Sequence, residues 1–110
     1  MGTARHFSLQ KDAQISVARK LQRIVMYYVY IVECADGTYY TGITTDLERR
    51  ILEHNFSFKS AKYTRSRRPV RLVYSSIANN RSDASKEEYR IKRLSRAQKQ
   101  KLISIQADSK

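Results

Sequence analysis

Tyr30 and Tyr40 stand ten residues apart in a tract of aromatic and β-branched residues. How that tract pairs decides whether the two phenols can act together. The runs 27–34 and 38–44 have the composition of strands, and Ala35-Asp36-Gly37 between them supplies the turn of a β-hairpin. A two-residue Asp36-Gly37 turn would set Tyr30 opposite Ile43 and point Tyr40 the other way. A three-residue loop with Gly37 in the left-handed bulge position sets Tyr30 opposite Gly42. The second register is preferred because it sorts the residues cleanly: Tyr30 and Tyr40 share one face, while Val29, Ile31 and Ile43 line the other. Two phenols above a glycine leave room for a phosphate backbone to approach. The competing reading is that tyrosines simply suit half-buried strands.

Three further side chains have the right chemistry for a phosphate. Arg50 and His54 lie four apart on a predicted helix and so share a face. An arginine fork can hold two phosphate oxygens and offset charge that builds during reaction. His54 has three possible uses: a hydrogen bond to a tyrosine, a contact to phosphate, or a cap on its face. Arg49 points about a quarter-turn away, toward solvent or DNA outside the centre. On a later predicted helix Ala84, Glu88 and Ile91 form one stripe, which tucks Glu88 beside apolar neighbours, where a carboxylate needs a cation. That cation can be Lys92 at i+4, and Glu87 is an alternative ligand that spacing does not separate from Glu88. Between the two helices, residues 57–68 carry Lys59, Lys62, Arg65, Arg67 and Arg68 with Phe58 and Tyr63, and Arg71 follows. Basic residues tracking a backbone while aromatics stack on bases give sequence-tolerant nucleic-acid binding.

The elements that must position these groups follow from local signals. Thr45-Asp46-Leu47-Glu48 is read as a capping box starting a helix over about 46–56. Pro69 opens a third strand over 70–74. Ser82 or Asp83 is expected to cap a helix to about residue 94, and Ser95-Arg96-Ala97-Gln98 forms a second capping box for a terminal helix to about residue 106. The fold class is therefore α+β: a small three-stranded antiparallel sheet flanked by helices, in the order β-β-α-β-α-α.

The chain of 110 residues suits one domain. Its 22 Lys and Arg against 10 Asp and Glu give a formal charge of +12, a field that attracts polyanions, nucleic acid first among them. Residues 1–25 carry five bases and one acid, so +8 remains on 26–110 and the basic character belongs to the domain. Leu9, Ala13, Val17, Leu21 and Ile24 fall at helical spacing, so 1–25 reads as a basic amphipathic extension, as a segment upstream of a start at Met26, or as a presequence-like arm. The lone cysteine, Cys34, excludes an internal disulfide and is expected to pack in its strand. No stretch approaches a membrane helix, so a cytoplasmic protein is expected.

The motifs resemble a known family. Val29-Tyr30 followed after nine residues by Tyr40-Thr41-Gly42 is similar to the paired motif of the GIY-YIG nucleases, with Arg50 at the family's arginine and Glu88 at its glutamate. The resemblance spans 27–94, and the loop Lys62-Tyr63-Thr64-Arg65-Ser66-Arg67-Arg68-Pro69 is similar to that of the small stand-alone bacterial members. Tyr28 and Thr41 depart from the glycine and isoleucine of the family name. The resemblance implies an endonuclease that hydrolyses DNA phosphodiesters with one divalent cation, Mg²⁺ or Mn²⁺, bound through Glu88, in repair or processing. It implies catalytic roles for Tyr30, Tyr40, Arg50, His54 and Glu88, with Tyr30 as candidate general base and Tyr40 positioning water or phosphate. Arg49, Lys62, Tyr63, Arg65, Arg67 and Arg68 are the candidate DNA contacts. A monomer with DNA as partner, and no membrane or small-molecule cofactor, is expected. The competing readings are a non-catalytic nucleic-acid-binding module of the same fold and a basic assembly protein.

Overall fold

The structure, a computed structural model, describes residues 25–109; the expectations for 1–24 lie outside the described residues. Strand β1 (Tyr27–Glu33) pairs with β2 (Tyr39–Thr44) on one side and with β3 (Arg71–Ala78) on the other, all antiparallel, so the order is β2-β1-β3. Helices α1 (Leu47–Phe56), a single turn α2 (Lys62–Arg65), α3 (Arg81–Lys92) and α4 (Arg96–Asp108) complete the α+β fold.

The hairpin adopts the three-residue register. Tyr30 pairs with Gly42 and Val32 with Tyr40, and Gly37 sits at φ +83°, a conformation that only glycine adopts without strain. Asp36 holds the turn by accepting from the Thr38 amide and hydroxyl, at 3.1 and 2.6 Å. This register divides the sheet into two faces with different covers. Val29 and Ile31 pack with Tyr74 against Ala84 and Ile91 of α3, with Leu102 and Ile103 of α4 alongside. Tyr30, Val32, Cys34 and Val70 face the other way, under Leu47 and Ile51 of α1. Cys34 is buried as expected, but one residue past the end of β1 rather than within the strand.

Three local signals resolve differently from expectation. The cap of α1 is Asp46, whose carboxylate accepts from the Arg49 amide at 3.0 Å, while Thr45 is exposed. Thr44 occupies the position behind it, its hydroxyl accepting from the Asp46 amide at 3.1 Å. Asp and Thr are both good caps, and the strand running to Thr44 decides which of them reaches the helix amides. Asn80, not Ser82 or Asp83, caps α3, accepting from the Asp83 amide at 2.8 Å. The third strand runs on to Ala78 because β1 offers it pairing partners up to Tyr27. The Ser95–Gln98 capping box forms as read. Helix α2 has no periodic signature, since four residues are too few to show one; it is held from outside, by the buried Thr64. Among the described residues no helix is long and apolar enough to cross a membrane.

Candidate active site

Tyr30, Tyr40 and His54 meet on the face of the sheet that α1 covers, with Arg50 one turn before His54 on that helix, while Glu88 lies on α3, which packs on the other face. Tyr30 lies 1% exposed with its ring over Gly42: a methyl group there would sit 2.6 Å from the phenol oxygen. Gly42 is therefore the gap that admits the phenol. Behind Tyr30, His54 is fully buried, its Nε2 2.8 Å from the Tyr30 hydroxyl and its Nδ1 2.8 Å from Thr64 Oγ1. The Thr64 hydroxyl donates to the Ala61 carbonyl at 3.1 Å, so its oxygen is left to accept from Nδ1–H. That assigns the tautomer: Nε2 carries no proton and accepts the one on Tyr30. Of the three uses open to His54, the tyrosine hydrogen bond is the one that forms.

The electrostatics follow from this burial. Burial, with the Arg50 charge adding to it, pushes the His54 imidazole down to about 4, so it is neutral near pH 7. Burial pushes the Tyr30 phenol up to about 12, with Arg50 opposing the rise and the Tyr40 and Glu88 charges adding to it. Arg50 and Glu88, from helices on opposite faces of the sheet, thus both act on one phenol. Arg50 donates from one nitrogen to Glu53 Oε1 and to the Lys59 carbonyl, each at 2.9 Å, which orients the guanidinium. Tyr40 completes the cluster, edge-on to His54 at 5.4 Å and stacked on Tyr63 at 6.1 Å.

On α3, the stripe of Ala84, Glu88 and Ile91 forms as expected: the two apolar residues are fully buried and Glu88 is half-buried. Glu88 pairs with Lys92 at 3.5 Å. Glu87 is drawn elsewhere, paired with Arg90 and lining a separate cavity with Tyr74, Ser76 and Asp83. No group of three or more His, Cys, Asp or Glu among the described residues could cage a metal ion. A lone carboxylate suits a hard cation that keeps most of its waters, and the buried Thr41 hydroxyl, on the strand face that α3 covers, has no partner.

Several arginines of the basic loop also hold the loop's own backbone. Arg68 donates to the His54 carbonyl at 2.6 Å, to the Ser57 carbonyl and to Ser60 Oγ at 2.9 Å, closing off the C-terminal end of α1. Arg65 reaches the Phe58 carbonyl at 2.9 Å. Arg67 pairs with Asp36 at 3.0 Å, donates to the Tyr63 carbonyl and lies 3.9 Å above the Tyr63 ring. Arg65 thus braces the loop on itself, Arg67 ties it to the hairpin and Arg68 to α1. Lys62 and Arg49 are exposed, Arg49 with only a loose 3.8 Å contact to Glu53. Residues that sequence reasoning passed over are Thr64, Glu53 and Asn55, which brackets the Val70 backbone with two hydrogen bonds of 3.0 and 2.7 Å. Glu53 was findable, lying three residues from Arg50 on the same helix; Thr64 had no local signal.

Known proteins share this domain. Residues 26–101 match the GIY-YIG catalytic domain. The chain is 62% identical over 77 residues to UPF0213 protein DP2720 of Desulfotalea psychrophila, covering 70% of each chain. It is 56% identical over 78 residues to UPF0213 protein VNG_2274C of Halobacterium salinarum, covering 71% of this chain and all of that one. Among solved structures it is similar to the solution NMR structure of protein EF2693 from E. faecalis, with 41% identity, a TM-score of 0.52, and 73% and 84% of the two chains covered. The chain belongs to the GIY-YIG nuclease superfamily, and the relatives named here include small UPF0213 proteins.

Proposed function

We propose that the chain is a divalent-cation-dependent endonuclease that hydrolyses DNA phosphodiester bonds at the site formed by Tyr30, Tyr40, Arg50, His54 and Glu88. The observation that supports this reading is the buried Tyr30–His54 hydrogen bond of 2.8 Å on the face that α1 covers, with Arg50 one turn before His54 and the half-buried Glu88 on α3. Glu88 would hold Mg²⁺ or Mn²⁺, and the ion would polarise the phosphoryl oxygen and stabilise the leaving oxygen. Arg50 offsets the charge that builds on the pentacovalent phosphorus. Tyr40 positions the phosphate or the water.

Tyr30 acts as base by relay. As water attacks, its proton passes to the Tyr30 oxygen while the Tyr30 proton moves to His54 Nε2. Burial, which pushes the phenol up to about 12, keeps it protonated near pH 7, so the relay lets Tyr30 take the water's proton without first losing its own to solvent. Arg49, Lys62 and Tyr63 supply exposed DNA contacts around the site; Arg65, Arg67 and Arg68 shape the loop that presents them.

The test is incubation with labelled single-stranded, duplex and branched DNA plus Mg²⁺ or Mn²⁺, comparing wild type with Arg50→Ala and Glu88→Ala. Cleavage that persists undiminished in both variants sinks the site. A second reading, a binding module of the same fold, draws support from the Glu88–Lys92 ion pair, which gives the carboxylate a cation without any metal. Tight binding with no cleavage by wild type would select it.

A further inference from the structure

A cavity of about 350 Å³ wraps the free edge of β2 beside the site just described, lined by Arg49, Arg50, Arg81, Tyr27, Thr44 and Thr45. Three guanidinium groups there meet one acid, Glu53, and three hydroxyls, so the lining carries two excess positive charges. Arg81 forms no ion pair or hydrogen bond through its side chain among the described residues, whereas Glu53 is engaged by Arg50 and Arg49. The cavity is therefore built to receive an anion, and the cation that most lacks a partner is Arg81.

Its position relative to Tyr30 follows from two independent rulers. Along the sheet, Tyr30 pairs with Gly42 and Tyr28 with Thr44, so Tyr27 and Thr45 lie three residues away, about 10 Å at roughly 3.3 Å per residue. Along α3, Arg81 and Glu88 are seven residues apart, nearly two full turns, so they face the same way about 10 Å apart at roughly 1.5 Å per residue. The helix and the strand thus form one groove with Glu88 and Tyr30 at one end and Arg81 at the other. Arg50 lines the cavity and also opposes the rise in the Tyr30 pKa.

Resting on the nuclease reading, we propose that this cavity binds a backbone phosphate flanking the scissile one, with Arg81 as its principal cation, so that the substrate strand runs along the edge of β2. A substrate must then extend past the cleaved bond on that side, which makes Arg81 a determinant of strand placement.

The test has one arm that needs no cleavage. Binding of a labelled oligo(dT) to the Glu88→Gln protein without metal is followed across a NaCl series, with Arg81→Gln, Arg81→Lys and, as a control on α4, Lys101→Gln added in turn. One lost phosphate contact lowers the slope of log affinity against log salt by about 0.7 for a single strand. The proposal requires that fall in Arg81→Gln, its restoration in Arg81→Lys, and no change in Lys101→Gln. A slope unchanged in Arg81→Gln, or falling equally in all three, overturns it. The second arm uses otherwise wild-type enzyme and cleavage. Arg81→Gln should raise KM about three- to tenfold with kcat kept, and that penalty should vanish when one flanking linkage is a neutral methylphosphonate. If no linkage position removes the penalty, the subsite is refuted. If the binding arm succeeds and wild type cleaves nothing, the nuclease reading fails and the phosphate site stands.

Discussion

Replacing Gly42 with alanine is the sharpest perturbation of the hairpin, because two effects of opposite sign compete. Where alanine fits, a strand glycine exchanged for it gains about 0.5–1 kcal/mol, through a less disordered unfolded chain. Here the new methyl group would lie 2.6 Å from the Tyr30 oxygen, 2.8 Å from Cζ and 3.1 Å from Cε1. The ring must retreat by most of an ångström. Tyr30 is 1% exposed, with His54 behind it, so the ring has little room to retreat. Overpacking costs about 1–3 kcal/mol, and a buried hydroxyl pulled from its 2.8 Å partner adds about 1–3 kcal/mol. The clash should win, and Gly42→Ala should destabilise the protein by about 2–4 kcal/mol in urea unfolding. Tyr30→Leu removes the ring end that clashes, so the double variant should lose at least about 1 kcal/mol less than the sum of the singles. A stabilising Gly42→Ala, or strict additivity with Tyr30→Leu, would refute the packing described here.

Two other outcomes follow from the same geometry. His54 titrates near about 4 folded against 6.5 unfolded, so between those values the unfolded chain binds the extra proton. Stability should be full above pH 6.5 and fall by up to about 3 kcal/mol as pH drops to 4; thermal melts of His54→Gln across this window should be flatter, and equal slopes would count against the buried neutral imidazole. Arg68 and Lys62 should separate cleanly. Arg68→Ala should lower stability by about 1–3 kcal/mol with the salt dependence of DNA binding unchanged, whereas Lys62→Ala should lower that salt slope by about 0.7 on a single strand and leave the urea midpoint alone. The reverse pattern would return Arg68 to the DNA surface.

Much of the hairpin was legible because its constraints are local: Asp36-Gly37 specifies a turn, and a period of two assigns every residue to a face. The Ala84, Glu88, Ile91 stripe was legible for the same reason, from the helical period. What stayed hidden depends on tertiary partners. Glu87 and Glu88 each have an intrahelical cation, Arg90 and Lys92, and only the fold shows that Glu87 also lines a cavity with Tyr74, Ser76 and Asp83. Arginines in the 57–68 loop look alike in sequence, yet those at 65, 67 and 68 spend their donors on carbonyls that only the folded loop brings near. The position of the α1 cap moved by one residue because β2 runs to Thr44.

The central claim is that Glu88 serves phosphodiester hydrolysis, and Glu88→Gln tests it with the least structural change, removing a charge while keeping the shape. Single-turnover cleavage of labelled DNA with Mg²⁺ should slow at least about 100-fold in this variant, the scale on which loss of transition-state charge stabilisation is felt. DNA affinity and the far-ultraviolet spectrum should stay at wild-type values. A variant that cleaves within a few-fold of the wild-type rate would contradict the assignment of the site.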